Sequence, residues 1–148
     1  HGAFLISIDK THEFSDKGIR TNKTVSVSLV NQSMLEAVDY CGIAKGAKTD
    51  KSKVFKHHFD EVKNAPIIDE APVCMTCRVI DTITVGNFTN YILKPLHTYV
   101  QEEILNEKGK INYEKASPVL FEFQSAQYLS LGKVIGQCWN YGKDFVVK

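Results

Sequence analysis

The feature that most constrains the fold is a long alternation of side chains that begins at Val73. On an extended chain two sets of residues would face opposite sides, with Val73, Met75, Cys77 and Val79 on one and Cys74, Thr76, Arg78 and Ile80 on the other. This period of two is typical of a half-buried strand in a barrel or sheet. Gly86-Asn87 then provides a turn into Thr89 to Val100, an aromatic-rich partner strand that Pro95 restricts to an edge or a bulge. The sequence therefore predicts a β-hairpin.

Three other stretches also have the patterns of strands. Ala3 to Ile8 is almost wholly apolar, which indicates a buried strand, and Lys23 to Leu29 alternates aliphatic residues with Thr and Ser. Gln101 to Tyr113 is an acidic segment that we expect to be solvated, and Val119 to Phe123 after it is predicted as a further strand. The C-terminal segment from Tyr128 to Lys143 is interrupted by glycines and is too apolar to lie in water.

Helix signals lie between these strands. Lys17 to Asn22 is predicted as a short helix that Asn22 ends in a left-handed conformation. Ser33 and Glu36 have the spacing of a capping box, which predicts a helix toward Cys41 that stops at Gly42. Asp50 to Phe59 is predicted as a second short helix capped by Asp50. Pro66 and Pro72 bracket a linker.

Composition bounds the class of protein. A chain of 148 residues with 43% hydrophobic and 24% charged residues is typical of one globular domain. A net charge of +1 argues against nucleic-acid binding, and no apolar run approaches the roughly 20 residues that a membrane span requires. The N-terminus does not have the pattern of a signal peptide, so we expect a cytoplasmic location and no membrane partner. Four cysteines are too few for a disulfide framework, so reduced thiols are expected.

Two eye-catching motifs have structural explanations. Cys74-Met-Thr-Cys77 has the spacing of a redox pair or half of a zinc site, but residues i and i+3 of a strand point to opposite faces. We therefore expect unlinked structural cysteines. His57-His58 is expected to be a solvated pair on a helix, where adjacent side chains diverge by about 100°. No metal site is predicted. No nucleophile elbow, Walker loop or G-x-G-x-x-G is present, so no catalytic side chain is assigned.

Two stretches have the composition of a ligand site. Lys10, Thr11, His12 and Ser15 follow a predicted strand and precede a predicted helix, a position whose free N–H groups favour an anion. The alternative is that Thr11 or Ser15 only caps the helix. The second stretch, Asp39 to Lys53, combines a helix end with a lysine-rich loop and suits a ligand that carries an aromatic plane and a phosphate.

These stretches carry a resemblance to a known family. The chain contains, in order, Ile6-Ser7-Ile8, Thr24-Val25-Ser26-Val27-Ser28, Glu36-Ala37-Val38-Asp39-Tyr40-Cys41-Gly42, Lys45-Gly46 and Asp50-Lys51. In order and spacing they resemble the segments of the flavin reductase-like, FMN-binding split-barrel proteins, which include the flavoredoxins. The Tyr128-Leu-Ser-Leu-Gly-Lys-Val-Ile-Gly tail also resembles the family pattern.

The resemblance implies a fold, a cofactor and a site. The implied fold is mainly β with α, a split barrel whose antiparallel strands carry peripheral helices, in homodimers with flavin at the subunit interface. The implied cofactor is FMN, with NADH or NADPH as electron donor. The phosphate would be held by Lys10, Thr11, His12 and Ser15. The ring or ribityl chain would be held by Cys41, Gly42, Lys45 and Lys51.

The chain also departs from the family pattern. Ser15 stands for threonine, Phe14 for tyrosine and Lys45 for serine, which would change individual hydrogen bonds to flavin. Family members begin with further strands that touch the flavin ring, so we expect the single domain of residues 1–148 to be N-terminally incomplete. Two other functions stay open: a flavoredoxin-type electron-transfer protein that accepts electrons from a protein rather than from NADH or NADPH, and a non-enzymatic flavin-binding barrel.

Overall fold

The computed structural model describes residues 2–147. In chain order the strands are β1 (Phe4–Asp9), β2 (Thr24–Ser28), β3 (His57–His58), β4 (Ile67–Ile68), β5 (Val73–Val85), β6 (Phe88–Val100), β7 (Val119–Glu122) and β8 (Gln127–Ser130). The α-helices are α1 (Glu13–Asn22), α2 (Leu35–Ile43) and α3 (Tyr113–Ala116), with 3-10 turns at Gln32–Met34 and Glu102–Ile104. The expected mainly β fold with helices is confirmed.

The predicted hairpin forms the centre of the molecule. β5 and β6 pair antiparallel from Val73 opposite Val100 to Val85 opposite Phe88. The turn between them contains Gly86 with φ +53°, a left-handed conformation that glycine adopts without steric cost. The register shifts between Thr76 and Cys77, opposite Pro95. Because proline cannot donate a ladder hydrogen bond, this irregularity is the bulge that Pro95 predicts.

The two outer strands lie at opposite ends of this hairpin. The sheet order is β1-β6-β5-β2. β1 pairs with the first half of β6, where Asp9 lies opposite Phe88, and β2 pairs with the first half of β5, where Thr24 lies opposite Arg78. The α1 helix connects these two ends of the sheet and buries Ile19. The main core contains Ile19, Cys77, Tyr91 and Leu93.

The prediction that the Val73 strand is only half-buried is wrong for its first part. Cys74 and Thr76 are as buried as Cys77, although they point to the other face. That face is covered by the segment that precedes β5, because Asp60 accepts a hydrogen bond from the Tyr99 hydroxyl and Glu61 pairs with His97. The alternation of side chains within β5 cannot predict that a segment from elsewhere in the chain covers this face.

Two helix boundaries differ from the predictions. α1 begins at Glu13 rather than Lys17, and the left-handed residue after it is Lys23 (φ 56°) rather than Asn22. The cap before α2 is Asn31, whose Oδ1 accepts from the Met34 N–H at 3.2 Å, rather than Ser33. α2 continues through Gly42 and ends at Ile43.

The predicted helix from Asp50 to Phe59 is wrong. The Asp50 carboxylate accepts from the Ser52 N–H at 2.9 Å, which forms a local turn instead of a helix cap. The chain then extends into β3, which pairs with β4 so that His57 lies opposite Ile68. This pairing buries Ile67. Consequently the predicted linker between Pro66 and Pro72 contains a strand, and His57 and His58 lie on a strand rather than a helix.

The C-terminal part forms a small hairpin followed by an exposed segment. β7, predicted as Val119 to Phe123, pairs with β8. Beyond β8, Ile135 is 87% exposed and Trp139 is 93% exposed in the single chain. We expected this apolar segment to be shielded from water, but in the single chain it is exposed. Its burial against a second chain stays a prediction. None of the helices within residues 2–147 has the length and apolar character needed to cross a bilayer.

Candidate functional site

The turn between β1 and α1 carries the four predicted phosphate ligands. Lys10, Thr11 and His12 form the turn itself and Ser15 lies in the first turn of α1, all of them exposed. Asp9 organises the turn, since its carboxylate accepts from the Thr11 N–H at 2.8 Å and its carbonyl from the His12 N–H at 2.9 Å. The bond from the Thr11 N–H holds the pKa of Asp9 below its usual value. A phosphate here would therefore be held mainly by side chains.

A partly buried polar network fixes α1 beside this turn. The Tyr91 hydroxyl donates to the Asp16 carboxylate at 2.6 Å, and Arg20 pairs with the same carboxylate and donates to Thr89. The bond from Tyr91, followed by that from Arg20, lowers the pKa of Asp16. Burial raises the pKa of Tyr91 to about 12. Sequence analysis missed this network, although the i, i+4 spacing of Asp16 and Arg20 is its local signal.

The lysine-rich loop is tied to the end of α2. The Lys51 ammonium donates to the Cys41 carbonyl at 2.6 Å, which satisfies one of the free carbonyls at the helix C-terminus. The loop begins with a tight turn in which the Lys48 and Thr49 N–H groups both donate to the Lys45 carbonyl. The structure thus brings Cys41 and Lys51 together, with Gly42 and Lys45 exposed nearby in the chain.

The two predicted halves of the site adjoin at Phe14 and Gly46. A Cβ atom added to Gly46 would lie 3.3 Å from the Phe14 ring, so only a residue without a side chain allows this approach without a shift of the ring. Phe14 belongs to the first turn of α1 and Gly46 to the lysine-rich loop. On its other side the phosphate turn reaches the β5–β6 turn, because the Lys10 ammonium donates to the Gly86 carbonyl at 2.7 Å.

The C-terminal hairpin also reaches this region. The Tyr128 hydroxyl donates to the Asp39 carboxylate at 2.5 Å, across 89 positions of the sequence. This bond raises the pKa of Tyr128. The Tyr128 to Gly132 stretch therefore begins beside the Asp39-Tyr-Cys-Gly motif of α2. Sequence analysis treated the two stretches separately, and no local signal connects them.

A phosphorylated aromatic cofactor fits these donors. Exposed ammonium and hydroxyl groups lie in the β1–α1 turn, further lysines lie in the loop after α2, and the Phe14 ring lies between the two stretches. Charged donors of this kind make the stronger hydrogen bonds to phosphate oxygens. The acidic Glu13 and Asp16 in the first turn of α1 oppose an anion, but Asp16 is already neutralised by Arg20. The assignment of the eight residues to FMN stays a prediction.

The cysteines and histidines form no metal site among residues 2–147, where no three His, Cys, Asp or Glu side chains are grouped suitably. Cys74 and Cys77 are both buried and free, as expected for structural strand cysteines. Burial, and secondly the neighbouring Cys74, raises the pKa of Cys77 to about 11. Such a thiol is unreactive near neutral pH, because the thiolate is the nucleophile. His58 pairs with Asp69 at 2.6 Å rather than with His57.

Comparison with known families agrees with this geometry. The sequence matches the flavin reductase like domain family across residues 2–130. The chain belongs to the flavin reductase-like family. No curated protein sequence matches it.

Solved structures that are similar to this chain have the same fold. Flavoredoxin from Methanosarcina acetivorans is 28% identical with a TM-score of 0.92, and the match covers 97% of this chain and 76% of that one. Flavoredoxin of Desulfovibrio vulgaris is 24% identical, with a TM-score of 0.87 and coverage of 95% and 76%. An FMN-binding protein from Thermus thermophilus is 19% identical, with a TM-score of 0.74 and coverage of 86% and 68%. The predicted split barrel is therefore confirmed, and the β1-β6-β5-β2 sheet is its curled half-barrel.

Proposed function

We propose that this chain binds FMN and acts as an oxidoreductase that takes electrons from NADH or NADPH. The observation that carries the proposal is the match to the flavin reductase-like family over residues 2–130. The adjoining β1–α1 turn and lysine-rich loop support it, because they offer donors for a phosphate on one side and cations for a flavin ring on the other.

Each half of the site has a separate role in this proposal. Lys10, Thr11, His12 and Ser15 bind the phosphate through charged and hydroxyl donors. Cys41, Gly42, Lys45 and Lys51 contact the ring or ribityl chain, where a positive charge stabilises the electron density that the ring gains on reduction. The flavin supplies the hydride chemistry when it is bound, and the protein positions it and adjusts its potential. No side chain acts as a nucleophile.

A second function, electron transfer without direct use of NADH or NADPH, is favoured by a specific observation. The match to the flavoredoxin from Methanosarcina acetivorans covers 97% of this chain and 76% of the flavoredoxin. In this second function the electrons come from another protein rather than from NADH or NADPH. In both versions we propose a homodimer, since Ile135, Trp139 and Phe145 belong to an apolar exposed segment that a single chain leaves uncovered. A cytoplasmic location is also part of the proposal.

Anaerobic spectroscopy distinguishes these functions. The purified protein is loaded with FMN, freed of excess cofactor, and mixed with NADH or NADPH while the visible flavin absorbance is followed. Bleaching by either nucleotide supports the reductase. Bleaching by dithionite but by neither nucleotide excludes the reductase and leaves the electron-transfer protein and the non-enzymatic flavin-binding barrel. A protein that does not quench FMN fluorescence at any concentration, and so does not bind FMN, contradicts both functions.

A further inference from the structure

A cavity of about 330 Å³ lies beyond the lysine-rich loop, at the β3–β4 pair. Its lining includes Lys51, Phe55, His57, Phe59, Pro66 and Ile68. None of these residues except Lys51 belongs to the predicted flavin site. The volume is at the small end of the range for ligand pockets, so the cavity suits a ligand of about one ring.

The cavity walls suit a flat apolar body. Phe59 packs edge-on against the His57 ring with centroids 5.7 Å apart and planes at 90°. Pairing of His57 with Ile68 holds these two lining residues side by side, because β3 and β4 form one antiparallel ladder. Aromatic rings favour stacked or edge-to-face neighbours, so a third ring would be held by Phe59 and the Phe55 side of the cavity.

The charge at the rim is positive. The Lys51 ammonium is partly buried and, within residues 2–147, its one protein hydrogen bond goes to the Cys41 carbonyl. An ammonium has three N–H donors, so further donors are left for a ligand. Residues 45–56 contain five lysines and one aspartate.

The two carboxylates that follow β4 are already paired. Asp69 bonds to His58 at 2.6 Å, and Glu70 accepts from the Lys56 N–H at 3.1 Å. They therefore compete little with a ligand for the Lys51 ammonium.

We propose that this cavity binds a monocyclic aromatic carboxylate, with its ring between Phe55 and Phe59 and its carboxylate on Lys51. The inference rests on the proposed function in one respect: Lys51 would then stand between the flavin and this second ligand, so that the ligand would occupy a subsite next to the flavin. The binding itself does not require flavin.

Benzoate is the probe, and benzyl alcohol is its uncharged match in size. Amide resonances of the flavin-free protein are followed by NMR during titration with each compound. Benzoate is expected to shift the Phe55, Phe59 and Ile68 amides and to bind about tenfold more tightly than benzyl alcohol, since only benzoate forms a charge-assisted bond to Lys51. Equal affinities, or shifts located elsewhere, would overturn the proposal.

Matched variants separate charge from shape. Lys51→Met should weaken benzoate about tenfold and leave benzyl alcohol unchanged, whereas Lys53→Met, in the same loop but outside the cavity lining, should change neither. Phe59→Ala should weaken both compounds. Its control is Phe88→Ala: both rings are about half-exposed, at 50% and 47%. Phe88 is far from the cavity. It lies eleven residues, about 35 Å along β6, from Tyr99. The Tyr99 hydroxyl bonds to Asp60, the residue that follows Phe59.

A parallel FMN titration keeps the two proposals distinct. Benzoate binding that persists with saturating FMN supports a separate subsite, and displacement of benzoate by FMN would overturn it. If the protein binds FMN but does not bind benzoate, only this inference is refuted. Benzoate binding without FMN binding refutes the proposed function alone.

Discussion

Replacing Tyr91 by phenylalanine tests how α1, and with it the phosphate turn, is held on the sheet. Tyr91 is fully buried, and its hydroxyl donates to the Asp16 carboxylate at 2.6 Å. A hydrogen bond to a charged group contributes about 1.5–3 kcal/mol to stability. The Asp16 side chain keeps its bond to Arg20 and is 17% exposed, so water can partly replace the hydroxyl. We therefore expect a loss near the lower limit, about 1.5–2 kcal/mol.

Thermal and urea unfolding of the flavin-free protein at one fixed concentration measure this loss. For a chain of this length it corresponds to a decrease in Tm of about 3–8 °C. The matched control is Tyr99→Phe. The Tyr99 hydroxyl bonds to the exposed Asp60 at 3.1 Å, where water can replace it, so this bond should contribute less to stability than the Tyr91 bond. Equal losses for Tyr91→Phe and Tyr99→Phe would refute the argument from burial.

The same bond gives the Tyr91→Phe variant a defined pH dependence. The pKa of Asp16 in the folded protein lies below its ordinary value of 3.8, so its contribution to stability is fully present above that value and is lost as the pH falls through the folded pKa. The difference between the variant and the unaltered protein should be constant near neutral pH and should shrink below about pH 4. A difference that grows in acid would contradict the assignment of Asp16 as the charged partner.

Three further outcomes follow from the site and the surface. Cys74 and Cys77 should stay unlinked after mild oxidation, since three residues of strand separate their Cα atoms by about 10 Å, beyond the reach of a disulfide; a Cys74–Cys77 disulfide by mass spectrometry would contradict the strand geometry. Light scattering at micromolar concentration should give a dimer, and a species of 16.6 kDa would contradict it. Lys10→Ala should weaken FMN binding about ten- to one-hundred-fold and hardly affect riboflavin binding, whereas Lys51→Ala should weaken the binding of both, as measured by fluorescence quenching. Equal losses of FMN and riboflavin affinity in Lys10→Ala would show that the phosphate binds elsewhere.

The parts of the fold that the sequence predicts correctly are those with a local cause. The Val73 to Val100 hairpin follows from a two-residue period, a Gly-Asn turn and one proline, all of which act within a few residues. The Asp50 to Phe59 helix is wrong because its local cap and apolar spacing are overridden by pairing of β3 with β4. Helix propensity is a weak preference that such contacts routinely override.

The sequence predicted the two stretches of the candidate site but not the contacts that bring them together. Their residue types indicate phosphate and ring binding, and the resemblance indicates flavin. The contacts that assemble them join distant residues: Phe14 meets Gly46, and Tyr128 bonds to Asp39. The phosphate turn also depends on Asp9, whose carboxylate accepts a hydrogen bond from the Thr11 N–H. The sequence had suggested that this N–H is free to bind an anion.

A titration of FMN into the flavin-free protein, followed by flavin fluorescence, tests the central claim most directly. The account predicts saturable quenching at one FMN per chain, with weaker quenching by riboflavin because riboflavin lacks the phosphate that Lys10 and its neighbours would bind. FMN fluorescence that stays unchanged at every protein concentration would contradict the claim that this chain binds flavin.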